Sequence, residues 1–249
     1  MGIKTWLKNL GNNTLYYPGC LTKGVLKEQL ENYKEILNRL DIDFIMLPDK
    51  EGCCGLPVLN SGYRKDARAL AKKNYDLFKQ IGVKKIITNC PSCYNMFREE
   101  YPKLLREWDI EIEHITITIL KALKEKGIRY NGQEEVVTYH DPCHLGRYSG
   151  IYNEPREVIK ILGGRVMEMK HNRENALCCG GGGGMKANFP KMADEIARQR
   201  VLEVPSEADR VISPCGLCYS NLLLSPKSEE FSGFVLRKLN EIKNYGGWR

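Results

Sequence analysis

"KKIITNCPSCYN" (residues 84–95) and "DRVISPCGLCYS" (residues 209–220) share one plan. A short apolar, β-branched run, with the pattern of a buried strand, ends in a turn that carries Cys-x-x-Cys. Two further runs, "LYYPGC" (15–20) and "VVTYHDPC" (136–143), likewise end in a turn carrying a single cysteine. Between these lie "EGCCG" (51–55) and "ALCCGGGGG" (176–184), where adjacent cysteines precede glycine. The cysteines thus fall at 20, 53, 54, 90 and 93, then at 143, 178, 179, 215 and 218, with gaps of 32 and 35 residues in the first half and 34 and 35 in the second. Corresponding cysteines are offset by 123 to 125 positions and none of the ten is left over, so the chain is an internal duplication.

The segments between the strands carry helical periodicity. Leu26, Leu30, Tyr33, Leu37 and Leu40 form one apolar stripe over residues 23–40, and residues 62–81 and 189–203 read as further amphipathic helices. Alternating strand and helix predict an α/β fold: two tandem repeated domains, each a mostly parallel sheet flanked by helices. The boundary is placed in the polar stretch "KGIRYNGQE" (126–134), giving a first cysteine-rich domain at 1–127 and a second at 128–249. The single cysteines and the Cys-x-x-Cys then lie at the carboxyl ends of strands, where open α/β sheets place ligands. The adjacent pair sits in a glycine loop able to fold over the same edge, so five thiols per half are expected to converge.

Composition narrows the uses of ten thiols. The chain has 249 residues, 42% of them hydrophobic, and 38 basic against 31 acidic side chains give a net charge of +7 without a polybasic run. No arginine-rich helix, aromatic ladder or zinc-finger spacing argues for nucleic acid. "MGIKTWLKNLGNNT" (1–14) lacks the apolar core of a secretory signal, and Trp6 breaks the myristoylation pattern. No apolar stretch approaches the roughly 18 residues of a membrane helix. A cytoplasmic protein is expected, without direct membrane insertion, where thiols stay reduced and metal or redox chemistry is the favoured use.

Zinc fits this pattern poorly. A structural zinc site takes four ligands, whereas each half offers one knuckle and three more cysteines, two of them adjacent. A cluster carrying several irons accommodates adjacent thiolates on different metals, although four cysteines per cluster is the usual count. Gly55, Gly180 and Gly181 are the candidate cofactor-binding glycines: without a Cβ, their backbone can approach closely and aim N–H groups at sulfur. The glycine run at 180–184 matches neither a dinucleotide fingerprint nor a phosphate loop, leaving cluster packing or a hinge. His140 and His144 flank Cys143, as proton donors or as scaffold, and Arg147 is a candidate partner for an anionic substrate or for a neighbouring acidic surface. His114, in an alternating apolar segment, reads as structural, and Tyr94 and Tyr219 read as helix core.

"YYPGC", "GCCG", "HDPCHLGR", "NRENALCCGGGGG" and "SPCGLC", in two complete motifs, resemble the cysteine-rich CCG domain family. That family includes the B and D subunits of heterodisulfide reductase and iron–sulfur subunits of lactate, glycolate and glycerol-3-phosphate oxidation systems and of some fumarate reductases. The resemblance implies two noncubane [4Fe-4S] clusters. One would be held by Cys20, Cys53, Cys54, Cys90 and Cys93, the other by Cys143, Cys178, Cys179, Cys215 and Cys218. It implies an iron–sulfur oxidoreductase subunit acting on a small disulfide or thiol between the clusters. His140, His144 and Arg147 are its candidate catalytic residues.

The chain has no Cys-x-x-Cys-x-x-Cys-x-x-x-Cys-Pro run. Electrons are therefore expected from a partner ferredoxin-type subunit, with a flavoprotein as a further candidate, and membrane association only through a partner. The competing readings are an electron-transfer subunit of a lactate, glycolate or glycerol-3-phosphate oxidation complex, whose clusters bind no substrate, and a non-redox metal-binding scaffold.

Overall fold

The computed structural model describes residues 13–47 and 51–244, so the reading of the N-terminal stretch before residue 13 and the outer ends of both expected domains lie outside the described residues. Each half builds one parallel sheet. In the first, β1 (Asn13–Tyr16), β2 (Val83–Thr88) and β3 (Glu111–His114) are ordered β1-β2-β3. In the second, β4 (Glu135–Tyr139), β5 (Gly164–Val166), β6 (Arg210–Ser213) and β7 (Ser228–Glu230) are ordered β5-β4-β6-β7. Every pairing is parallel. Strand β5 has a trace of a counterpart in the first half, a parallel bridge between Leu15 and Ile45.

Helices fill the crossovers. The first half carries α1 (Gly19–Gly24), α2 (Lys27–Arg39), α3 (Leu56–Asn60), α4 (Arg64–Gln80), α5 (Pro91–Asn95), α6 (Tyr101–Leu104) and α7 (Ile115–Glu125), with a π turn at Met96–Glu100 joining α5 to α6. The second carries α8 (Asn153–Ile161), α9 (Met185–Asn188), α10 (Pro190–Val201), α11 (Gly216–Leu222) and α12 (Phe231–Asn244). The stretches expected over 62–81 and 189–203 appear as α4 and α10. The stretch expected over 23–40 is broken instead: Leu26 leaves helical geometry (φ −96°, ψ 59°) between α1 and α2. Its side chain covers Gly216 of the second half, where a Cβ would collide with it, so Leu26 departs from the stripe that Tyr33 and Leu37 continue.

The two halves share one core. Tyr33, Ile36 and Leu37 of α2 and Ile115, Ile119 and Leu123 of α7 are buried together with Val158 and Ile159 of α8 and Phe231, Phe234, Val235 and Leu239 of α12. Each side chain of this size contributes about 1.5–3 kcal/mol by leaving water. The pairing is reciprocal: α2 packs on α12 and α8 packs on α7, so each half's first long helix meets the other half's last. The helix starts that close this layer are capped alike. His114 Nδ1 accepts from the Thr116 N–H at 3.4 Å, and Glu230 Oε2 accepts from the Ser232 N–H at 2.7 Å. His114 is thereby a buried cap, as its sequence context indicated, and burial lowers its pKa to about 3. No helix among the described residues is long and apolar enough to cross a membrane.

Candidate metal centre

The carboxyl ends of the central strands deliver the cysteines. Strand β1 stops at Tyr16 and Cys20 follows in α1; β2 stops at Thr88, Cys90 caps the start of α5 and Cys93 follows on it. In the second half β4 leads to Cys143, and β6 leads to Cys215 and to Cys218 on α11. The adjacent pairs arrive on the long crossovers and are pinned by buried amides. Asn74 Nδ2 donates to the Cys53 carbonyl at 2.9 Å, and the Tyr101 hydroxyl donates to the Cys54 carbonyl at 3.0 Å. In the second half Asn221 Nδ2 donates to the Cys179 carbonyl. Asn74, Tyr101 and Asn221 were not foreseen from sequence, because a polar residue on an amphipathic helix carries no sign of being buried.

All ten cysteines are free thiols, and they gather as two groups of five. In the first, Cys20, Cys53, Cys54, Cys90 and Cys93 lie close enough to shift one another's protonation, and a Cβ at Gly19 would stand 3.1 Å from Cys93 Sγ and 3.8 Å from Cys90 Sγ. In the second, Cys179 Sγ lies 3.1 Å from Cys218 Sγ, and Cys178 and Cys215 lie near enough to shift the protonation of these two. Cys143 borders this group and feels the charges of Cys179 and Cys215. One sulfur in each group carries the negative charge most readily. The pKa of Cys53 is held far below a free thiol's because Cys20 and Cys54 donate to it. That of Cys179 is held low by Cys178 and Cys218, with His140 also contributing. Cys90 is drawn down to about 7 by the Cys93 thiol and by the N–H groups of Cys93 and Ser92.

The glycines play matching parts in the two halves. The Gly55 N–H donates to Cys53 Sγ at 3.3 Å and the Gly180 N–H to Cys178 Sγ at 3.3 Å, while the Gly181 N–H approaches Cys179 Sγ at 3.5 Å. At Gly19 a Cβ would stand 3.1 Å from Cys93 Sγ. Backbone packed this closely on sulfur, with N–H groups aimed at it, suits a polynuclear thiolate centre better than a lone tetrahedral ion.

The structure separates His140, His144 and Arg147. His140 is buried with an imidazole nitrogen within 4.8 Å of Cys179 Sγ and Cys218 Sγ, behind the cysteines. His144 places Nδ1 3.4 Å from Cys143 Sγ and stacks obliquely on Tyr148, with ring centroids 4.9 Å apart; its partial burial lowers its pKa. Arg147 Nη1 donates to the carbonyls of Ala176 at 2.7 Å and Glu174 at 3.2 Å, tying down the segment before Cys178. A cleft of about 650 Å³ runs between the halves. Its walls include Leu56 and Leu59 beyond the first cysteine pair, Arg64 and Lys103, and His144, Tyr148 and Gly183 of the second half.

Fold and site together define a duplicated α/β protein with one five-thiol site at the carboxyl edge of each sheet. The chain belongs to the cysteine-rich domain family, CCG, whose pattern matches residues 14–98 and again 137–223. It is 36% identical over 219 residues to the D subunit of dihydromethanophenazine:CoB–CoM heterodisulfide reductase from Methanosarcina acetivorans, a match covering 85% of this chain and 53% of that protein. It is 35% identical over 228 residues to EtfAB:quinone oxidoreductase of Syntrophomonas wolfei, covering 87% of this chain and 32% of the relative. A probable iron–sulfur-binding oxidoreductase of Bacillus subtilis, FadF, is 32% identical over 202 residues, covering 80% and 28%. The chain therefore spans about half the length, or less, of these relatives.

Proposed function

We propose that this chain is an iron–sulfur redox subunit. In this reading Cys20, Cys53, Cys54, Cys90 and Cys93 hold one [4Fe-4S] cluster of noncubane type, and Cys143, Cys178, Cys179, Cys215 and Cys218 hold a second. The observation that carries the proposal is the grouping of the cysteines five to a half at the carboxyl ends of the strands; a cleft lined by His144, next to Cys143, draws walls from both halves. When bound, the clusters supply single electrons. The reaction that suits the cleft is reduction of a small disulfide, RSSR′ + 2e⁻ + 2H⁺ → RSH + R′SH, or its reverse.

This chain's own residues would position the substrate and exclude water. Leu56 and Leu59 offer an apolar wall, and Arg64 can meet an anionic group on the substrate, whereas Lys103 is paired with Glu100 on the same wall at 2.7 Å. His144, at the cleft and beside Cys143, can hand a proton to a departing thiolate. Arg147 acts through the backbone it holds. The names of the relatives support a partner that feeds electrons, for which a ferredoxin-type subunit or a flavoprotein is the natural chemistry. Ten unpaired thiols support a reducing compartment such as the cytoplasm.

A second reading, an electron relay for another dehydrogenase, is favoured by the exposure of Cys20 and Cys178, which brings an edge of each site to the surface. Iron and acid-labile sulfide per chain, on protein purified or reconstituted without oxygen, test the proposal. About eight irons with matching sulfide support two four-iron clusters. Zinc without sulfide would sink it. A disulfide that alters the cluster EPR signal separates substrate conversion from relay.

A further inference from the structure

Tyr17 and His140 occupy the same place in the two repeats. Each lies three residues before its half's first cysteine, and each N–H donates to the central strand, Tyr17 to the Ile87 carbonyl at 2.8 Å and His140 to the Ile212 carbonyl at 2.9 Å. Their side chains then diverge. The Tyr17 hydroxyl turns to the Gly52 carbonyl at 2.5 Å. The His140 ring stands against Cys179 and Cys218, and its Nδ1 accepts from Arg200 Nε at 3.0 Å.

Arg200 has no exposed surface, and its Nη1 is held by the His171 carbonyl at 2.7 Å and Glu203 Oε2 at 2.5 Å. Glu203 in turn contacts His171 at the surface. A guanidinium does not surrender its proton, so Nδ1 of His140 can only accept. The proton of the neutral ring is therefore on Nε2, and toward sulfur the ring can only donate. In the first half the matching side chain turns away from sulfur, the Tyr17 hydroxyl being spent on the Gly52 carbonyl, and the donor to Cys53 Sγ is the backbone N–H of Gly55.

We infer that Arg200 and His140 make the two cysteine sites electronically unequal: Arg200 fixes His140 as a hydrogen-bond donor to the Cys179 thiolate, so a cluster held in the second half accepts an electron at a higher potential than one held in the first. The inference rests on the cluster reading above. A donor aimed at a ligating sulfur favours the more negative, reduced state of the centre, and burial strengthens the effect. Electrons supplied one at a time then settle on the second site first. His140 and Arg200 are positioning residues in this account, acting through the sulfur and not on a substrate.

The test is a reductive titration of the full chain, loaded with clusters without oxygen and followed by EPR. Two waves are expected, and Cys53→Ser should abolish the lower one. His140→Leu should move only the upper wave to lower potential. His140→Gln, whose amide reaches the place of Nε2, should restore most of that shift, and Arg200→Met should lower the upper wave in the same direction. Should His140→Leu lose its cluster, pulsed EPR on His144→Leu protein labelled with ¹⁵N-histidine decides, because His144 Nδ1 also lies 3.4 Å from a sulfur of the second half, Cys143 Sγ. A nitrogen coupling and an exchangeable proton are expected on the higher-potential signal and not on the other. A single wave, an unmoved upper wave in a cluster-bearing His140→Leu, an unmoved upper wave in Arg200→Met with no such coupling, or equal shifts of both waves would overturn the inference while leaving the clusters in place. A chain that binds no iron and sulfide would overturn both.

Discussion

Arg156 grips Asp141 through two parallel hydrogen bonds, Nη1 to Oδ1 at 2.7 Å and Nη2 to Oδ2 at 2.8 Å, with both side chains almost wholly out of water. The same guanidinium reaches Glu168 at 2.7 and 2.9 Å and lies over the Tyr139 ring at 4.6 Å. Asp141 also accepts from the Arg173 N–H at 2.8 Å. One ion pair thus joins the turn before Cys143 to α8 and to the segment before Cys178. Removing one partner of such a buried pair strands a charge. Arg156→Met is expected to lower unfolding stability by about 3 kcal/mol, measured by denaturant titration. Adding Asp141→Leu should recover part of the loss, because the stranded carboxylate is then gone. If Arg156→Met lost under about 1 kcal/mol, as exposed pairs do, the pair would have to be reached by water.

Gly180 permits the second adjacent pair its place. Its φ is +77°, and a Cβ there would meet the Ala193 carbonyl oxygen at 2.5 Å, in the helix that carries Arg200. Gly180→Ala combines a strained left-handed backbone with a collision against main chain. A loss of about 2 kcal/mol or more is expected, together with failure to retain iron at the second site while the first is kept. Thermal melting and metal analysis check both parts. An alanine variant as stable as wild type would contradict the close packing of this loop on α10.

Much of this architecture was legible because the repeat fixes it. The spacing of the cysteines located the strand ends, and the period of α4 and α10 located those helices. The shared helical layer was not legible: the stripe of Tyr33 and Leu37 shows that α2 buries a face, but not that α12 of the other repeat covers it. Leu26 sat on the same stripe and was drawn away by Gly216, a contact 190 positions distant. Arg200 reads as one more cation on a helix rich in them, and only His140, 60 positions earlier, reveals its burial. One sign was available. Aligning the repeats sets His140 against Tyr17, and a departure between otherwise matched motifs marks a place where the halves differ in use.

The two cysteine groups should load independently, since each is built from its own half. Cys53→Ser is expected to reduce iron from about eight to about four per chain, with the second-half EPR signal intact, and Cys179→Ser should do the converse. Each variant removes one of the five thiolates proposed to hold its cluster. Loss of all iron from either single variant would mean that the sites assemble as one unit.

Glu230 links the halves and makes stability depend on pH. Its carboxylate accepts from the Tyr33 hydroxyl at 2.7 Å and from the Ser232 N–H at 2.7 Å, yet burial raises its pKa from 4.5 to about 7. The folded state therefore binds this proton more tightly than the unfolded chain does. The stabilisation is complete below pH 4.5 and disappears as pH rises through 7. The span corresponds to about 3 kcal/mol at 1.36 kcal/mol per pH unit. Glu51, also raised by burial to about 7, acts in the same window and the same direction. Denaturant unfolding at intervals between pH 5 and pH 8 should show stability from these groups falling with pH, and Glu230→Gln should flatten that slope without abolishing it. A Gln variant with the wild-type slope would assign the pH dependence to Glu51 and leave Glu230 ionised in the folded protein.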